Sequence, residues 1–379
     1  MRFNLAKQFL AQLMQWDDIE ATERFQEMDL MSDIKYDSYD QFMPGIKFVG
    51  NFYLWLSQFD KLEERKLMYD FVKKYIIYIN SNQVSHLIDL LYNTKIIPLI
   101  REKVVNDFKQ KGLTINKYNY RCLDNSAEFK SHKRKTLFIG LSDGSHIDII
   151  RRNSYLDNDQ VLTNYYPDEK KINSLAKDLA ESSALQNYKE KKFESIVLID
   201  DFTASGTSFI RPKEDGTFNG KLPKFFDEIC ENEKFKALFA DNLEINVFFL
   251  IATKSALTYI NDLLAQYMRQ HEGMKVNVDC IQSLDEDAKF TNHQEQEVKD
   301  MIAVIGNKRY VNEQALSDAY KKSYADDAEK RYHLGYKQCA LTVVLNHNTP
   351  NNSLPIIWQP KNDNKEQPIY PLFYRITRH

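Results

Sequence analysis

The chain has 379 residues, of which 43% are hydrophobic and 28% are charged, and 51 basic residues nearly balance 54 acidic ones to leave a net charge of −3. Such a composition is typical of a globular protein with enough residues for one large domain or two ordinary ones. The near-neutral balance gives no global electrostatic case for nucleic-acid binding, although it is compatible with a local basic patch.

Cysteine usage and hydropathy predict a cytoplasmic protein. The four cysteines are far apart and lack the paired spacing of metal ligands: Cys122, Cys230, Cys280 and Cys339. We expect reduced and mostly buried thiols. The apolar runs are shorter than a membrane-spanning helix, and the first residues lack the apolar core of a signal peptide. We therefore expect no membrane association.

The first third of the chain has the apolar periodicity of α-helices. Apolar residues recur every three to four positions in four segments, 5–14, 62–79, 84–91 and 96–105. Pro98 fits the start of the last helix or a kink in it. This pattern predicts a helical module over residues 1–115 that caps the following domain or binds a partner. A winged-helix module is an alternative, but Lys and Arg do not gather on one predicted helix.

From about residue 136 the pattern changes to alternating strands and helices. The strand candidates are 136–141, 161–166, 196–199, 245–252, 276–281 and 341–345. Helical patterns lie between them at 147–152, 175–185, 256–268 and 314–330. The alternation predicts an α/β domain over 116–379, with a mostly parallel sheet and flanking helices. The polar stretch 109–135, made basic by Arg121 and Lys130–Lys135, is the expected linker.

The third strand candidate ends in the most informative segment, Ser195–Ser208, which reads SIVLIDDFTASGTS. Ile196–Ile199 has the length and β-branched content of a strand buried on both faces. Asp200 and Asp201 follow it, at the end of a strand where open α/β sheets bind their ligands. The segment Thr203–Ser208 offers one glycine and four hydroxyls, which suits an anion held by backbone amides and hydroxyls. The alternative is a structural turn with a capping acid.

This segment resembles a known family signature, which consists of a buried strand, two consecutive acids, a few variable residues and then Ser/Thr-Gly-any-Ser/Thr. The signature is that of the type I phosphoribosyltransferases, and the segment resembles that family at every defining position. The direct match covers about fourteen residues. The resemblance implies that Asp200 and Asp201 are catalytic residues that hold the ribose hydroxyls of phosphoribosyl pyrophosphate and its metal ion. It assigns the 5′-phosphate to a loop formed by Thr203, Ala204, Ser205, Gly206, Thr207 and Ser208.

Magnesium is the cofactor that the resemblance implies. Mg²⁺ would bridge the ribose diol and the diphosphate, held mainly by ligand oxygens and water. Displacement at the anomeric carbon would pass through an oxocarbenium-like state. The placement of charge therefore matters more than a strong nucleophile.

A second loop is predicted to support the first. The strand Leu137–Leu141 leads into Ser142, Asp143, Gly144 and Ser145, and a helix follows. In the resembling family a small-residue loop after an early strand holds the diphosphate, so these four residues are candidate diphosphate ligands. Asp143 would repel the diphosphate unless it turns away or binds magnesium, and Asp-Gly is also a routine turn signal.

A polar loop at 347–355 follows the sixth strand candidate. Asn348, Asn351 and Asn352 could read a base or sugar edge there, whereas the alternative is a loop shaped by turn chemistry alone. This loop and Gly335–Lys337 are also similar to the C-terminal region of phosphoribosyltransferase-like effectors of bacterial conflict and anti-phage systems, some of them in retron operons. That narrower resemblance implies a protein or nucleoprotein partner, bound through the helical module.

Two features depart from the purine-salvage members of the family. Ala204 stands where several of them carry an acidic residue that acts on the base. An insertion at 211–216 separates the phosphate loop from the next predicted helix at 222–230. This insertion could deliver Arg211 or Lys213 to the phosphates, or it could lie on the surface.

Three functional hypotheses follow. In the first, the protein transfers the sugar phosphate of phosphoribosyl pyrophosphate to an unknown acceptor, in one version as an anti-phage effector. In the second, the same fold is a non-catalytic nucleotide-sensing module that acts through a protein or nucleic acid. In the third, the protein modifies nucleic acid and contacts it through Lys130–Lys135.

Overall fold

The computed structural model describes residues 3–42, 47–154, 156–271, 274–313, 315–316, 331–360 and 368–376. The α-helices are α1 (Phe3–Met14), α2 (Asp18–Ile34), α3 (Phe48–Ser57), α4 (Leu62–Tyr75), α5 (Ser81–Leu91), α6 (Ile97–Gln110), α7 (Tyr120–Asn125), α8 (Ala127–Arg134), α9 (Ile147–Asn153), α10 (Glu169–Glu181), α11 (Lys221–Glu231), α12 (Glu233–Lys236), α13 (Lys254–Tyr267), α14 (Gln296–Ile305) and α15 (Pro355–Trp358). The strands are β1 (Ile77–Ile79), β2 (Thr136–Gly140), β3 (Val161–Leu162), β4 (Phe193–Thr203), β5 (Arg211–Pro212), β6 (Phe218–Asn219), β7 (Phe239–Thr253), β8 (Lys275–Leu284) and β9 (Val343–Leu345).

The chain forms two compact units. The central unit is residues 84–284, and the terminal unit combines residues 1–83 with 285–379. The division expected between residues 115 and 116 falls inside the central unit, because α6 packs against α8 there. The last part of the chain joins the amino-terminal helices rather than the domain that precedes it in sequence.

The terminal unit has an aromatic core. Phe48, Phe52 and Trp55 of α3 are fully buried in it, and Trp55 Nε1 donates a hydrogen bond of 2.8 Å to the Ile356 carbonyl oxygen. The amino-terminal helices predicted from apolar periodicity are present, but α4 ends at Tyr75 instead of continuing to residue 79. The residues that follow Ile76 are β-branched or aromatic, and Ile77–Ile79 form β1.

The sixth strand candidate is present, but it does not join the main sheet. β9 pairs in parallel with β1, with Ile77 opposite Val343 and Ile79 opposite Leu345. Both strands are short and apolar, and nothing in their local sequence specifies their partner. The polar helix predicted over 314–330 lies outside the described residues, except for 315 and 316.

The central unit is an α/β fold built on a five-stranded sheet of order β3-β2-β4-β7-β8, with every neighbouring pair parallel. The predicted strands are all present; β4, β7 and β8 are longer than expected and β3 is shorter. One face of the sheet buries Ile139, Leu198 and Val247 against α10, α11 and α13. An ion pair joins α6 to β7, in which Lys103 Nζ is 2.9 Å from a Glu244 carboxylate oxygen. The predicted parallel sheet with flanking helices is confirmed.

The basic stretch Lys130–Lys135 is not an exposed linker. It belongs to α8 and the turn into β2, where Arg134 is buried in an ion pair with Asp159. Lys135 is buried as well, and its Nζ lies 2.7 Å from a Glu194 carboxylate oxygen. Two of the cations on which the hypothesis of a nucleic-acid contact at Lys130–Lys135 depends, Arg134 and Lys135, are therefore used inside the fold, whereas Lys130 is exposed.

The pairing of Glu194 makes stability depend on acid pH. Burial by itself would raise the pKa of Glu194, but hydrogen bonds and charge from His132 and Lys135 outweigh it and hold that pKa at about 2, below the ordinary 4.5. A carboxylate with a lowered pKa stabilises the fold above its ordinary pKa, and this contribution is lost as the pH falls from 4.5 towards 2.

We expect Glu194→Gln to remove that dependence. Between neutral pH and the acid range, the variant should lose less free energy of unfolding than the parent, by about 1 kcal/mol once solvent screening of this half-buried group is considered. Urea unfolding across this pH range measures the difference. Glu190→Gln, at an exposed position nearby, is the control, and identical pH profiles of parent and Glu194→Gln would contradict the prediction.

The cysteines and the hydropathy of the helices bear on two further expectations. All four thiols are free; Cys280 and Cys339 are buried, but Cys122 and Cys230 are exposed, so only half of the expected burial holds. Within the described residues, no helix combines the length and the apolar character needed to cross a bilayer.

Candidate functional site

The two consecutive acids lie near the carboxyl end of β4, which continues two residues beyond them to Thr203. Because neighbouring residues of a strand point to opposite faces of the sheet, the two carboxylates have different surroundings. Asp200 is only 1% exposed, whereas Asp201 is half-buried. The pair predicted from the sequence is thus split into one buried and one accessible carboxylate.

Both oxygens of the Asp200 carboxylate are occupied. The Ser142 hydroxyl donates a hydrogen bond of 2.6 Å to Oδ1, and the Lys221 ammonium forms an ion pair with Oδ2. Burial raises the pKa of Asp200; Lys221 opposes that rise and the neighbouring Asp201 adds to it. Asp200 therefore connects the loop after β2, the end of β4 and the first residue of α11.

Lys221 is a candidate site residue that the sequence analysis missed, because its ammonium pairs with Asp200. It is positioned by Gly220, whose φ of +133° is open to glycine alone. A Cβ at this position would stand 2.6 Å from the Phe209 carbonyl carbon and closer still to its oxygen. The Lys221 N–H also donates to the Ser208 carbonyl oxygen at 3.1 Å. The Gly-Lys pair before the apolar stripe of α11 is the signal that could have indicated this role.

The phosphate-loop candidate has backbone donors to offer. Gly206 has a φ of +74°, and a Cβ there would lie 2.8 Å from a ring carbon of Tyr259 on α13. The hydroxyls of Ser205 and Thr207 are 3.0 Å apart. Among the hydrogen bonds of the described residues, none uses the backbone N–H of Ser205, Gly206 or Ser208 as its donor. A glycine in the left-handed region between free N–H groups is the geometry of an anion-binding turn.

Thr203 and Ala204, the first two residues of the phosphate-loop candidate, are buried. The Thr253 hydroxyl donates a hydrogen bond of 2.7 Å to the Ala204 carbonyl oxygen and accepts one of 3.0 Å from the Ala256 N–H at the start of α13. Thr203 is 4% exposed, and its hydroxyl has no hydrogen-bond partner among the described residues. Thr253 thus holds the loop in place, and the sequence analysis had not singled it out.

The second loop lies beside the first, because β2 and β4 are neighbours in the sheet. Asp143–Ser145 form a single 3-10 turn in which the Ser145 N–H donates to the Ser142 carbonyl oxygen at 3.0 Å. Gly144 and Ser145 are buried and Asp143 is exposed. Since the Ser142 hydroxyl is used by Asp200, this residue positions the acid rather than offering its side chain to a diphosphate.

The insertion after the phosphate loop forms the β5–β6 hairpin. Arg211 Nη1 donates a hydrogen bond of 3.0 Å to the Thr207 carbonyl oxygen, so a guanidinium stands next to the loop. Lys213 lies in the exposed turn of the hairpin. Of the two cations considered for this insertion, the structure places Arg211 beside the phosphate loop.

The asparagine cluster belongs to the terminal unit. Asn348 Nδ2 donates to the Ile376 carbonyl oxygen at 3.2 Å, and Asn352 Nδ2 donates to the Tyr336 carbonyl oxygen at 3.2 Å. Asn351 accepts a hydrogen bond from the Tyr336 N–H through its backbone carbonyl. The base-reading role of these residues was based on β9 being a strand of the main sheet. That position is wrong, because β9 pairs with β1.

Comparison with known protein families gives one result that covers most of the chain. The family model described as PRTase-CE, in which PRTase abbreviates phosphoribosyltransferase, matches residues 54–375. This span includes the two acids, both candidate loops and Lys221. Comparisons with curated proteins and with solved structures gave no match.

Proposed function

Because this chain belongs to the PRTase-CE family and is phosphoribosyltransferase-like, we propose that its central unit binds phosphoribosyl pyrophosphate, or a related ribose phosphate, and transfers the sugar phosphate to an acceptor. The observation that carries the proposal is the hydrogen bond of 2.6 Å between Ser142 and Asp200. It joins the candidate diphosphate loop to the acid pair, so that a ligand bound to both would have its ribose between them.

The proposal gives the two acids different tasks. Asp201, the more exposed carboxylate, accepts hydrogen bonds from the ribose hydroxyls, which are strong because the acceptor is charged. Asp200 is a positioning residue, because its carboxylate holds the Ser142 hydroxyl and the Lys221 ammonium in place. The free N–H groups of Ser205, Gly206 and Ser208 hold the 5′-phosphate, with Arg211 beside them.

Magnesium fits this site only in company with the ligand. Within the described residues there is no cluster of three or more His, Cys, Asp or Glu side chains that could hold a metal ion. Asp201 would be the ligand from the protein because it is half-buried, whereas Asp200 is buried in an ion pair with Lys221. The cation would therefore take most of its ligands from diphosphate oxygens and water, as Mg²⁺ commonly does at phosphate sites, and it would neutralise the leaving diphosphate.

The acceptor differs from a purine base in this proposal. Ala204 is buried and its carbonyl oxygen is held by Thr253, so no ionisable side chain stands where purine-salvage enzymes carry one. The same absence favours the second candidate, a nucleotide sensor that binds the ligand without transferring its sugar. Release of diphosphate in the presence of candidate acceptors distinguishes the two: binding without release identifies a sensor.

We expect Asp201→Asn to weaken binding of phosphoribosyl pyrophosphate by about 10-fold or more, because a charged acceptor of the ribose hydroxyls is lost. Titration calorimetry with and without magnesium chloride measures the effect. Asp241→Asn, at an exposed position on β7, removes the same charge and should bind like the parent. Equal affinity in all three proteins would overturn the proposed site.

The cellular role rests on the narrower resemblance to conflict-system effectors. We propose that the protein acts in the cytoplasm as an anti-phage effector whose trigger is a protein or nucleoprotein partner. Phage plating on cells that carry the parent, Asp201→Asn or Asp241→Asn tests this role. Protection that is lost only in Asp201→Asn supports it, and protection by none of the three contradicts it.

A further inference from the structure

The segment that joins α6 to α7 in the central unit has a one-sided charge. Residues 109–121 contain four cations and no carboxylate: Lys109, Lys111, Lys117 and Arg121. Lys111 lies 2.6 Å from a Glu128 carboxylate oxygen. The other three are exposed and, in the part of the chain that the structure describes, have no carboxylate within ion-pair distance. A local basic patch thus exists in a nearly neutral protein.

Two tyrosines are exposed in the same segment. Tyr118 is 68% and Tyr120 48% exposed, which is high for such large rings. The Arg101 guanidinium lies 4.1 Å from the centre of the Tyr120 ring and is fixed by two hydrogen bonds of 2.7 and 2.6 Å to Asp124. The guanidinium therefore stacks on one face of the Tyr120 ring and holds the ring in a fixed orientation before any ligand arrives.

Lys109, Lys117 and the two tyrosines line one groove between α6 and the segment that follows it. Its volume is about 390 Å³, and its walls also include Arg101, Glu102 and Val105. Lys117 Nζ lies 5.0 Å from the centre of the Tyr118 ring, so cation and aromatic surface alternate along it. An acidic protein would use the cations but not the exposed rings, whereas a nucleic-acid strand with unstacked bases uses both.

We propose that this groove binds single-stranded nucleic acid. Lys109, Lys117 and Arg121 contact phosphates, and bases stack on Tyr118 and Tyr120. Such binding tolerates many sequences, because every base presents a flat face. The groove is built from other residues than the sugar-phosphate site, so the inference stands independently of the function proposed above.

The test uses fluorescence anisotropy with labelled oligomers of thymidine or uridine, about 20 nucleotides long, so that the groove can be filled. We expect Tyr118→Ala/Tyr120→Ala to weaken binding on the order of 10-fold, the effect of losing stacked bases. Lys109→Glu/Lys117→Glu should also bind more weakly. Its affinity should depend less on salt: the negative slope of log affinity against log salt should become shallower by about 1.4, the value for two lost contacts to a single strand.

Matched variants and competing ligands complete the test. Two control variants should bind like the parent. Tyr374→Ala replaces a tyrosine of the terminal unit that is as exposed as Tyr120, and Lys170→Glu/Lys177→Glu replaces two exposed lysines of α10. The single variant Lys117→Glu, at an exposed residue, replaces any double variant whose thermal unfolding has changed. Preference for thymidine or for uridine oligomers identifies DNA or RNA as the ligand, and either supports the proposal. Tighter binding of polyglutamate, or equal loss in the matched variants, would overturn it.

Discussion

Replacing Lys221 with methionine is expected to lower the free energy of unfolding at neutral pH by about 3 kcal/mol, because it leaves a buried carboxylate without its cation. Asp200 would keep only the hydrogen bond from Ser142. We place the effect at the lower end of the range for broken buried ion pairs, since the Lys221 side chain is 26% exposed. Urea unfolding measures the change. Lys224→Met, at an exposed position on the same helix, should change stability little.

The pH dependence of this loss identifies its cause. The pKa of Asp200 is raised chiefly by burial, and without Lys221 it should rise further. An acid with a raised pKa favours the fold while it is protonated, so its stabilisation is present below the ordinary value of 3.8 and is lost as the pH rises through the raised pKa. Lys221→Met should therefore be nearest to the parent in acid and should fall behind it as the pH increases.

A double variant separates charge from packing. Asp200→Asn/Lys221→Met carries no buried charge, so it should be more stable at neutral pH than Lys221→Met alone. Both variants should lose affinity for phosphoribosyl pyrophosphate, because the loop after β2 and α11 are no longer tied to β4. If the double variant is as unstable as Lys221→Met at every pH, the ion pair between Asp200 and Lys221 does not account for the stability lost in Lys221→Met.

Gly220→Ala is expected to lower the free energy of unfolding by about 3 kcal/mol or to prevent folding. Two effects add: a φ of +133° is strained for alanine, and its Cβ would overlap the Phe209 carbonyl. The overlapping atoms belong to the backbone of Phe209, the residue directly after the phosphate loop, so relief requires that this backbone moves. Thermal unfolding and calorimetric titration with phosphoribosyl pyrophosphate should show that stability and binding are lost together.

Gly216→Ala provides the matched control for backbone strain. Gly216 also has a positive φ, +80°, but a Cβ there would meet nothing within 4 Å. It should cost about 1 kcal/mol, the strain without the overlap. Similar losses in the two variants would mean that the contact with Phe209 contributes nothing.

Elements that depend on residues close together in sequence could be predicted, whereas pairings between residues far apart in sequence could not. The apolar runs of β4 and β7 indicate buried strands by themselves, since strands covered on both faces need no partner to be recognised. The pairing of β1 with β9 depends on residues that are distant in sequence, and three apolar residues carry no information about which strand they join. For the same reason the division into units could not be placed correctly.

The site shows the same limit. The segment Ser195–Ser208 has a recognisable pattern because the sugar-phosphate site that we propose requires particular residues at fixed spacing. Lys221 lies outside that pattern and becomes a site residue only through the turn at Gly220. The basic run Lys130–Lys135 is the converse case, since two of its cations, Arg134 and Lys135, pair with Asp159 and Glu194, which lie elsewhere in the chain.

The composition of the terminal unit has a consequence for synthesis on the ribosome. The pairing of Ile77 with Val343 joins residues about 270 positions apart in sequence, whereas the central unit between them is continuous. At about 5–20 residues per second, the amino-terminal helices wait on the order of 13–50 seconds for β9 to emerge. During that time the apolar surface of α3 lacks its carboxyl-terminal partners, so we expect a chaperone to bind the nascent chain. A chain that terminates before β9 would keep this apolar surface of the amino-terminal helices exposed and would therefore tend to aggregate.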